Sequence, residues 1–196
     1  GVTGLSIAQA LAQANPQARV LLVVIETCSL SFRADRLQKA DIIAAVLFGD
    51  GAASACLSCV EPVSMRRVAL ECGYQKLWPD TLNIMGWDVD DIGLGVIFDR
   101  SIPTFVSDHF AAATAQALHA SALTPQQIDR YVCHPGGAKV VDAIEGALDL
   151  PQGSLTAERE TLRDFGNMSA PTVLFVLQQV LAAGTTGQMM ACALGP

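Results

Sequence analysis

The segment YVCHPGGAKVVDAIEGALDL, residues Tyr131 to Leu150, decides the fold class and points to the candidate site. Its opening residues are apolar up to His134, which is typical of a buried strand. Pro-Gly-Gly follows His134 at once and re-aims the chain before a helix predicted over Gly137–Leu148. A histidine held between a strand end and a helix start occupies the place where α/β proteins gather functional groups. His134 is therefore the first candidate functional residue.

Strands and helices alternate on both sides of this segment, which predicts an α/β fold. The predicted strands are Arg19–Glu26, Ala52–Val60, Gly93–Phe98, Asp129–His134 and Gly187–Leu194. The predicted helices are Leu5–Asn15, about Pro103 to Ser121, Gly137–Leu148, Leu155–Asp164 and one that ends at Gly184. Val68–Tyr74 is also strand-like, whereas the segment LWPDTLNIMGWDVDD is predicted to be a long loop, and such loops are often functional.

The dipeptide Glu61-Pro62 is the predicted boundary between two halves, residues 1–62 and 63–196. The segment before Leu5 starts as if inside the approach to a helix, and the last residues stop on a turn after an apolar strand. We therefore expect the chain to be a fragment of a larger fold, containing the end of a first half and most of a second.

Composition excludes several classes of function. Hydrophobic residues make up 51% of the 196 residues, charged residues make up 16%, and the net charge is −7. This balance argues against nucleic-acid binding, which needs clustered Lys and Arg. No apolar run approaches the ~20 residues of a spanning helix, so no membrane span is expected.

The six cysteines lack the regular spacing of a secreted disulfide framework. Cys56 and Cys59 form a C-x-x-C motif, but no second pair of ligands follows it, so no metal site is expected. Buried free thiols favour a reducing compartment, and we expect the protein to be cytoplasmic.

Asn167 is the second candidate, because it lies in the Gly-led turn FGNMSAP just before another predicted helix. An imidazole and a side-chain amide can both donate hydrogen bonds to a developing oxyanion, such as the oxygen of a thioester enolate. The residues alone leave two structural alternatives open. His134 could be a buried, satisfied histidine, and Asn167 could be the N-cap of the following helix.

Three motifs together resemble the type III polyketide synthases, the chalcone synthase-like enzymes of the thiolase superfamily. They are HPGG at His134–Gly137, GNMSA at Gly166–Ala170 and LFGDGAA at Leu47–Ala53. Their order and separations match the family over the whole chain, and HPGG argues against the related ketoacyl synthase III enzymes. The resemblance implies a thiolase-like layered αβαβα fold, incomplete here.

The family uses a Cys-His-Asn triad, in which His134 and Asn167 match the histidine and the asparagine. The resemblance places the nucleophilic cysteine a few residues before Gly1, and none of the six cysteines matches it. Cys133 neighbours His134, but adjacent strand residues point to opposite faces, so we interpret Cys133 as a core residue.

The resemblance also implies gatekeepers between a CoA tunnel and a cavity. Phe48 matches one gatekeeper phenylalanine, although ordinary core packing would also explain it. The second aligns near Val96, where a smaller side chain would widen the passage unless Trp87 or Phe98 refills the space. Trp87 is expected to close one wall of the cavity.

Other positions follow from the same resemblance. Cys28 and Ser31 match a segment that lines or supports the cavity, and Ser169 is expected to point into the same space. Gly136 and Gly137 are expected to let the backbone approach the pantetheine arm of CoA.

The implied activity is decarboxylative Claisen condensation of an acyl-CoA starter with malonyl-CoA. The bacterial-type features and the small Cys28 and Val96 side chains favour a long-chain starter, and alkylpyrone or alkylresorcinol products. No metal or redox cofactor is expected, and the partners are the two CoA thioesters and, at full length, a second subunit of a homodimer. The alternative is a catalytically incomplete fragment that at most decarboxylates malonyl-CoA.

Overall fold

The computed structural model describes residues 1–35, 38–61 and 68–195. The helices are α1 (Val2–Ala14), α2 (Lys39–Leu47), α3 (Ile102–Ala120), α4 (Ala138–Ala147), α5 (Thr156–Phe165) and α6 (Thr172–Ala182). The strands are β1 (Arg19–Glu26), β2 (Gly51–Ser58), β3 (Met85–Val89), β4 (Leu94–Phe98), β5 (Arg130–Cys133) and β6 (Met189–Cys192). Short 3₁₀ helices span Cys28–Ser31 and Pro125–Gln127.

The strands of the described residues pair two by two. Strands β1 and β2 are antiparallel, as are β3 and β4, whereas β5 and β6 run parallel with Cys133 opposite Cys192. A parallel pair needs a long crossover connection, and helices α4, α5 and α6 supply it. The prediction of an α/β fold is therefore confirmed.

Four layers follow from the packing of these elements. Helices α1 and α6 lie between the β1–β2 sheet and the β5–β6 sheet, because α1 contacts β1 and β2 while α6 contacts both sheets. Helices α3 and α4 pack together and cover the other face of β5 and β6. The order of layers in the described residues is therefore sheet, helix, sheet, helix.

Two apolar cores flank strand β5. Cys133 belongs to the core that β5 and β6 share with α3 and α4, and its side chain is 1% exposed. Val132 belongs to the core that contains α1 and α6, and it is fully buried. Because successive side chains of a strand point to opposite faces, this short strand is anchored from both sides.

Most predicted elements are confirmed within a few residues, but the strand predicted over Val68–Tyr74 is wrong. These residues form no strand, and the side chain of Gln9 donates a hydrogen bond to the carbonyl of Leu70 instead. An apolar pattern predicts a strand only where a partner strand can satisfy its backbone groups.

The long loop predicted over residues 77–91 is wrong at its end, where it becomes strand β3. A carboxylate builds the turn that brings β3 back against β4: Asp90 Oδ1 accepts hydrogen bonds from the N–H groups of Ile92 (2.9 Å) and Gly93 (3.0 Å). Gly93, at φ 154°, closes this turn. The sequence DDIG lacks the two-residue signals that usually mark a hairpin, so the pairing was not predicted.

The predicted boundary is the dipeptide Glu61-Pro62, and residues 62–67 lie outside the described part of the chain. The division into residues 1–62 and 63–196 stays a prediction. None of the helices in the described residues is long and apolar enough to cross a membrane.

A glycine at the start of β2 allows the first 61 residues to pack closely on the loop that follows α5. A Cβ on Gly51 would lie 2.5 Å from Met168 Sδ and 2.9 Å from Met168 Cβ. Gly49 is similarly tight, 3.0 Å from the carbonyl oxygen of Phe165. These glycines therefore let the two segments approach next to Asn167.

We expect Gly51→Ala to lower the free energy of unfolding by about 1–3 kcal/mol, because the added methyl group overpacks the Met168 side chain. Gly146→Ala is the matched control, since a Cβ on Gly146 meets nothing within 4 Å. In the last turn of α4 that change should be neutral or stabilise the protein by up to about 1 kcal/mol. Urea denaturation of both variants measures the difference. Equal stability of Gly51→Ala and the wild type would contradict the tight packing.

Candidate active site

His134 lies immediately after strand β5, and its backbone continues the strand by one hydrogen bond. Its N–H donates to the carbonyl oxygen of Cys192 at 2.8 Å. The carbonyl of His134 then accepts from the N–H of Gly136 at 3.1 Å, which turns the chain towards α4. The position of the imidazole is thus set by the end of β5 and by the Pro-Gly-Gly turn.

The environment of His134 favours a neutral imidazole. Burial is the main cause that lowers the pKa of His134 from 6.5 to about 4. The start of α1 packs against the start of α6, since a Cβ on Gly1 would lie 2.7 Å from Val173 Cγ1. A neutral imidazole keeps one N–H donor and one acceptor nitrogen. No side-chain hydrogen bond to this ring is found among residues 1–35, 38–61 and 68–195.

The backbone of Asn167 is fixed by the segment that precedes β2. The N–H of Asn167 donates to the carbonyl oxygen of Leu47, and the carbonyl oxygen of Asn167 accepts from the N–H of Gly49, each at 2.9 Å. This is a parallel bridge opposite Phe48. The residue is 3% exposed. Helix α6 begins at Thr172 with Pro171 at its N-cap, so Asn167 is not the N-cap.

The side chain of Asn167 is oriented by two hydrogen bonds. Its Oδ1 accepts from the N–H of Ser169 at 2.8 Å, and its Nδ2 donates to the carbonyl oxygen of Gly136 at 3.3 Å. Because Gly136 is two residues after His134, the amide lies beside the histidine turn. The structure therefore brings the two predicted catalytic residues together. The second N–H of the amide has no acceptor among the described residues.

Phe48 and Ser169 belong to the same neighbourhood. Phe48 is the backbone partner of Asn167, and its ring meets the ring of Phe98 edge-on with centroids 5.9 Å apart. Ser169 adopts the left-handed region at φ 59°, which is uncommon for a residue with a side chain. Its carbonyl oxygen accepts from the Thr172 hydroxyl at 2.8 Å, so the turn into α6 holds this conformation.

Val96 and Trp87 are directly opposite each other on β4 and β3. Val96 is 8% exposed, and Trp87 is 45% exposed. Val96 lines a cleft of about 350 Å³ together with Phe98 and Asp88. Trp87 is not among the described residues that line this cleft, so its expected role in closing a cavity wall stays a prediction.

Cys28 and Ser31 lie in the 3₁₀ helix after β1, which packs against β4. The Ser31 hydroxyl donates to the carbonyl oxygen of Cys28 at 2.7 Å. Burial raises the pKa of the Cys28 thiol, and the nearby carboxylates of Glu26 and Asp50 raise it further. A protonated thiol is a small apolar group, which suits a wall and does not suit a nucleophile.

The Pro-Gly-Gly turn leaves ordinary space at its two glycines. A Cβ on Gly136 would be 3.6 Å from Val140 and 3.9 Å from the His134 ring, and one on Gly137 would be 3.9 Å from Leu47. Gly137 is extended and precedes α4. Neither glycine is required by φ or by the described neighbours, so their expected contact with CoA stays a prediction.

The interpretation of Cys133 as a core residue is confirmed. A hydrogen bond to the Cys192 thiol, together with burial, raises the pKa of Cys133 well above its ordinary value. Cys56 and Cys59 do not converge either, because Cys56 lies on the outer face of β2 and the Cys59 thiol donates to the carbonyl oxygen of Ala12 at 3.4 Å.

Sequence reasoning missed Glu158, a fully buried carboxylate on α5. Its Oε1 accepts from the N–H of Cys133 at 3.0 Å, and its Oε2 accepts from the Arg130 guanidinium at 2.5 Å. The only signal in the sequence was an acidic residue in the first turn of the predicted helix. A lone Glu in the first turn of a helix is, however, usually explained by the helix dipole.

Two family models match the chain. The model for the N-terminal domain of chalcone and stilbene synthases matches residues 1–61, and the model for their C-terminal domain matches residues 69–193. The chain belongs to the chalcone and stilbene synthase family. The resemblance to type III polyketide synthases that the three motifs indicated is thereby confirmed.

Relatives of this chain carry corresponding names. It is 33% identical over 205 residues to a 1,3,6,8-tetrahydroxynaphthalene synthase of Streptomyces peucetius subsp. caesius, covering 100% of the chain and 53% of that protein. It is 32% identical over 190 residues to the type III polyketide synthase 10 of Oryza sativa subsp. japonica, covering 92% of the chain and 46% of that protein. The chain spans about half the length of the relatives it matches.

A solved structure confirms the thiolase-like fold. The crystal structure of the C-terminal type III polyketide synthase domain of Steely1, a type I/III hybrid from Dictyostelium, superposes with a TM-score of 0.86 at 26% identity. The match covers 100% of this chain and 56% of that one. The four layers of the described residues therefore form part of the αβαβα arrangement.

The lowered pKa of His134 makes the stability of this chain depend on pH. Between pH 6.5 and about 4 the unfolded state binds a proton that the folded state does not, so the free energy of unfolding should fall as the pH falls through this window. Above pH 6.5 His134 should contribute no slope. NMR titration of the imidazole should give a midpoint near 4.

His134→Gln should reduce this slope, whereas His119→Gln, at an exposed position on α3, should leave the His134 midpoint in place. A His134 midpoint at the ordinary value of 6.5 would contradict the buried, neutral imidazole.

Proposed function

We propose that this chain carries the His-Asn half of a polyketide synthase site that condenses an acyl-CoA starter with malonyl-CoA. The observation that carries the proposal is the hydrogen bond from Asn167 Nδ2 to the carbonyl oxygen of Gly136, which joins the asparagine to the histidine turn. Binding of acyl-CoA and malonyl-CoA, the condensation reaction and assembly into a homodimer are proposed for the whole protein that carries this chain. Its place in the cytoplasm likewise stays a prediction.

Two neutral donors suit the decarboxylation of malonyl-CoA. The bond between the malonyl carbon and its carboxylate breaks, CO₂ leaves, and the electron pair moves into an enolate whose negative charge lies on the thioester oxygen. The imidazole N–H of His134 and the free amide N–H of Asn167 can both stabilise that oxygen. Because both groups are neutral, neither has to give up a proton as the charge develops.

Condensation also requires an acyl group held next to the enolate. The family resemblance places the nucleophilic cysteine a few residues before Gly1, and the start of α1 packs against the start of α6, a few residues after Asn167. We therefore infer that the imidazole would keep such a thiolate ready for acylation. The enolate would then attack the acyl thioester and expel the thiolate.

The alternative is that the chain decarboxylates malonyl-CoA without condensing it. No cysteine of the 196 residues matches the family nucleophile, and Cys133 is a protonated core thiol. Intact mass measurement of the protein that carries this chain, after incubation with an acyl-CoA, separates the two. A stable acyl adduct whose formation depends on His134 favours condensation, and release of CO₂ without an adduct favours the alternative.

The starter is proposed to be a long-chain acyl-CoA. Cys28 and Val96 are small, and the 3₁₀ helix that contains Cys28 packs against the strand that contains Val96. These two side chains therefore lie on adjoining elements, and the ring of Phe48 contacts Phe98, two residues after Val96 on the same strand. Each CH₂ of a buried alkyl chain contributes about 0.8 kcal/mol, so an apolar wall here favours long starters. Alkylpyrones or alkylresorcinols are the products expected from them.

His134→Ala and Asn167→Ala should each lower the rate of malonyl-CoA decarboxylation by at least about a hundredfold, the usual loss when an oxyanion donor is removed. The assay follows acetyl-CoA formation or labelled CO₂. His119→Ala and Asn15→Ala are matched controls at exposed positions and should leave the rate unchanged. Unchanged decarboxylation in both site variants would refute the proposed roles.

In the protein that carries this chain, turnover should rise with the length of the acyl-CoA starter when starters compete. Cys28→Phe should suppress long starters selectively, because the ring fills the wall. Cys56→Phe places the same ring on the outer face of β2 and should change nothing. A preference for short or aromatic starters would reject the long-chain proposal, and an unaffected Cys28→Phe variant would reject the proposed wall.

A further inference from the structure

We propose that Glu158 is a positioning residue for His134, an inference that rests on the proposed function. Glu158 touches no part of the candidate site directly. It binds the backbone of Cys133, the residue before His134, and its side chain is fully buried.

The geometry of strand β5 explains why a carboxylate is needed there. Among the described residues, β5 pairs with a strand on one side only, where the N–H of His134 donates to Cys192. The N–H of the preceding residue points to the opposite edge, which no strand of the described residues covers. Glu158 Oε1 accepts that N–H at 3.0 Å and so replaces the missing strand at the last residue before His134.

An ion pair holds the carboxylate in this position. Arg130 is at the start of the same strand, and its guanidinium contacts Glu158 Oε2 at 2.5 Å. The two carboxylate oxygens thus bind the first and the last residue of β5. A carboxylate that accepts from both ends of a four-residue strand restricts how far the strand can shift along its axis.

Helix α5 extends this restraint to the asparagine. Glu158 is near the start of α5, the helix ends at Phe165, and Asn167 follows after Gly166. A ten-residue helix is rigid and about 15 Å long. The Asn167 amide donates to the carbonyl of Gly136, in the turn after His134. Both ends of α5 are therefore connected to the chain around His134, at one end through the bond from Cys133 to Glu158 and at the other through Asn167. We infer that Glu158 sets the spacing between the two donors.

Glu145 provides a matched control. It is also a buried carboxylate, 2% exposed, and it accepts from two backbone N–H groups and from Arg159. Its backbone partners are Gly153 and Leu155, in the loop before α5, and not the strand that ends at His134. Loss of either carboxylate costs stability, but only loss of Glu158 should disturb the imidazole.

The test compares Glu158→Ala with Glu145→Ala in the protein that carries this chain. Glu158→Ala should lower kcat for malonyl-CoA decarboxylation by about tenfold or more with KM within about twofold, because small displacements of a catalytic group carry large rate losses. Glu145→Ala should lower the Tm comparably while kcat stays within about twofold. Equal losses of kcat at equal losses of Tm would overturn the positioning role.

Conservative variants keep the test decisive if Glu158→Ala does not fold. Glu158→Gln removes the ion pair but retains an acceptor for the Cys133 N–H, and adding Arg130→Met also removes the guanidinium that would be left without a carboxylate. Both should keep kcat within about threefold of the wild type, since the bond to the strand is retained. A loss above about tenfold in a folded double variant would assign the effect to charge and overturn the inference.

NMR separates this inference from the proposed function. If the protein that carries this chain does not decarboxylate malonyl-CoA, the proposed function fails, but the ring resonances of His134 still report its position. They should move in Glu158→Ala, or in Glu158→Gln to a smaller extent, and stay in place in Glu145→Ala. Unmoved His134 resonances in every folded Glu158 variant would overturn the positioning role whatever the activity.

Discussion

The backbone bridge between Phe48 and Asn167 is the constraint on which the candidate site depends. Two hydrogen bonds of 2.9 Å, to Leu47 and from Gly49, hold the loop after α5 against the segment before β2. These segments are far apart in sequence, and their close approach requires glycine at Gly51, where a Cβ would collide with Met168. Without this bridge the amide of Asn167 would not lie beside the histidine turn. A buried backbone pairing therefore sets the position of a side chain proposed for catalysis.

The site combines a rigid frame with neutral donors. Strand β5 is buried on both faces, the end of the strand fixes His134, and burial lowers the pKa of its imidazole to about 4. Asn167 is fixed through Ser169 and Gly136. The ion pair of Glu158 with Arg130 lies at the opposite edge of β5 from the bond between His134 and Cys192. A developing enolate would therefore meet dipoles that are already oriented, the arrangement that stabilises such a charge most effectively.

Local signals predicted much of this structure, because helical and strand periods, Gly turns and the HPGG and GNMSA motifs are all short-range. They predicted strand β1 to the residue and placed His134 and Asn167 at strand and helix boundaries. They did not predict β3, whose formation depends on the Asp90 turn, and they predicted a strand at Val68–Tyr74 that has no partner. Glu158 was missed for the same reason. Its role lies in a hydrogen bond to Cys133, 25 residues away, which no pattern within a single element can show.

The central claim is that His134 and Asn167 act on one oxygen atom. A double-mutant cycle on malonyl-CoA decarboxylation tests it most directly, with His134→Ala, Asn167→Ala and the double variant compared by kcat/KM. If the two donors stabilise the same enolate oxygen as a unit, the double variant should lose little more than either single variant. Losses that multiply, so that the double variant falls by the product of the single effects, would show that the two residues act independently and would contradict the account.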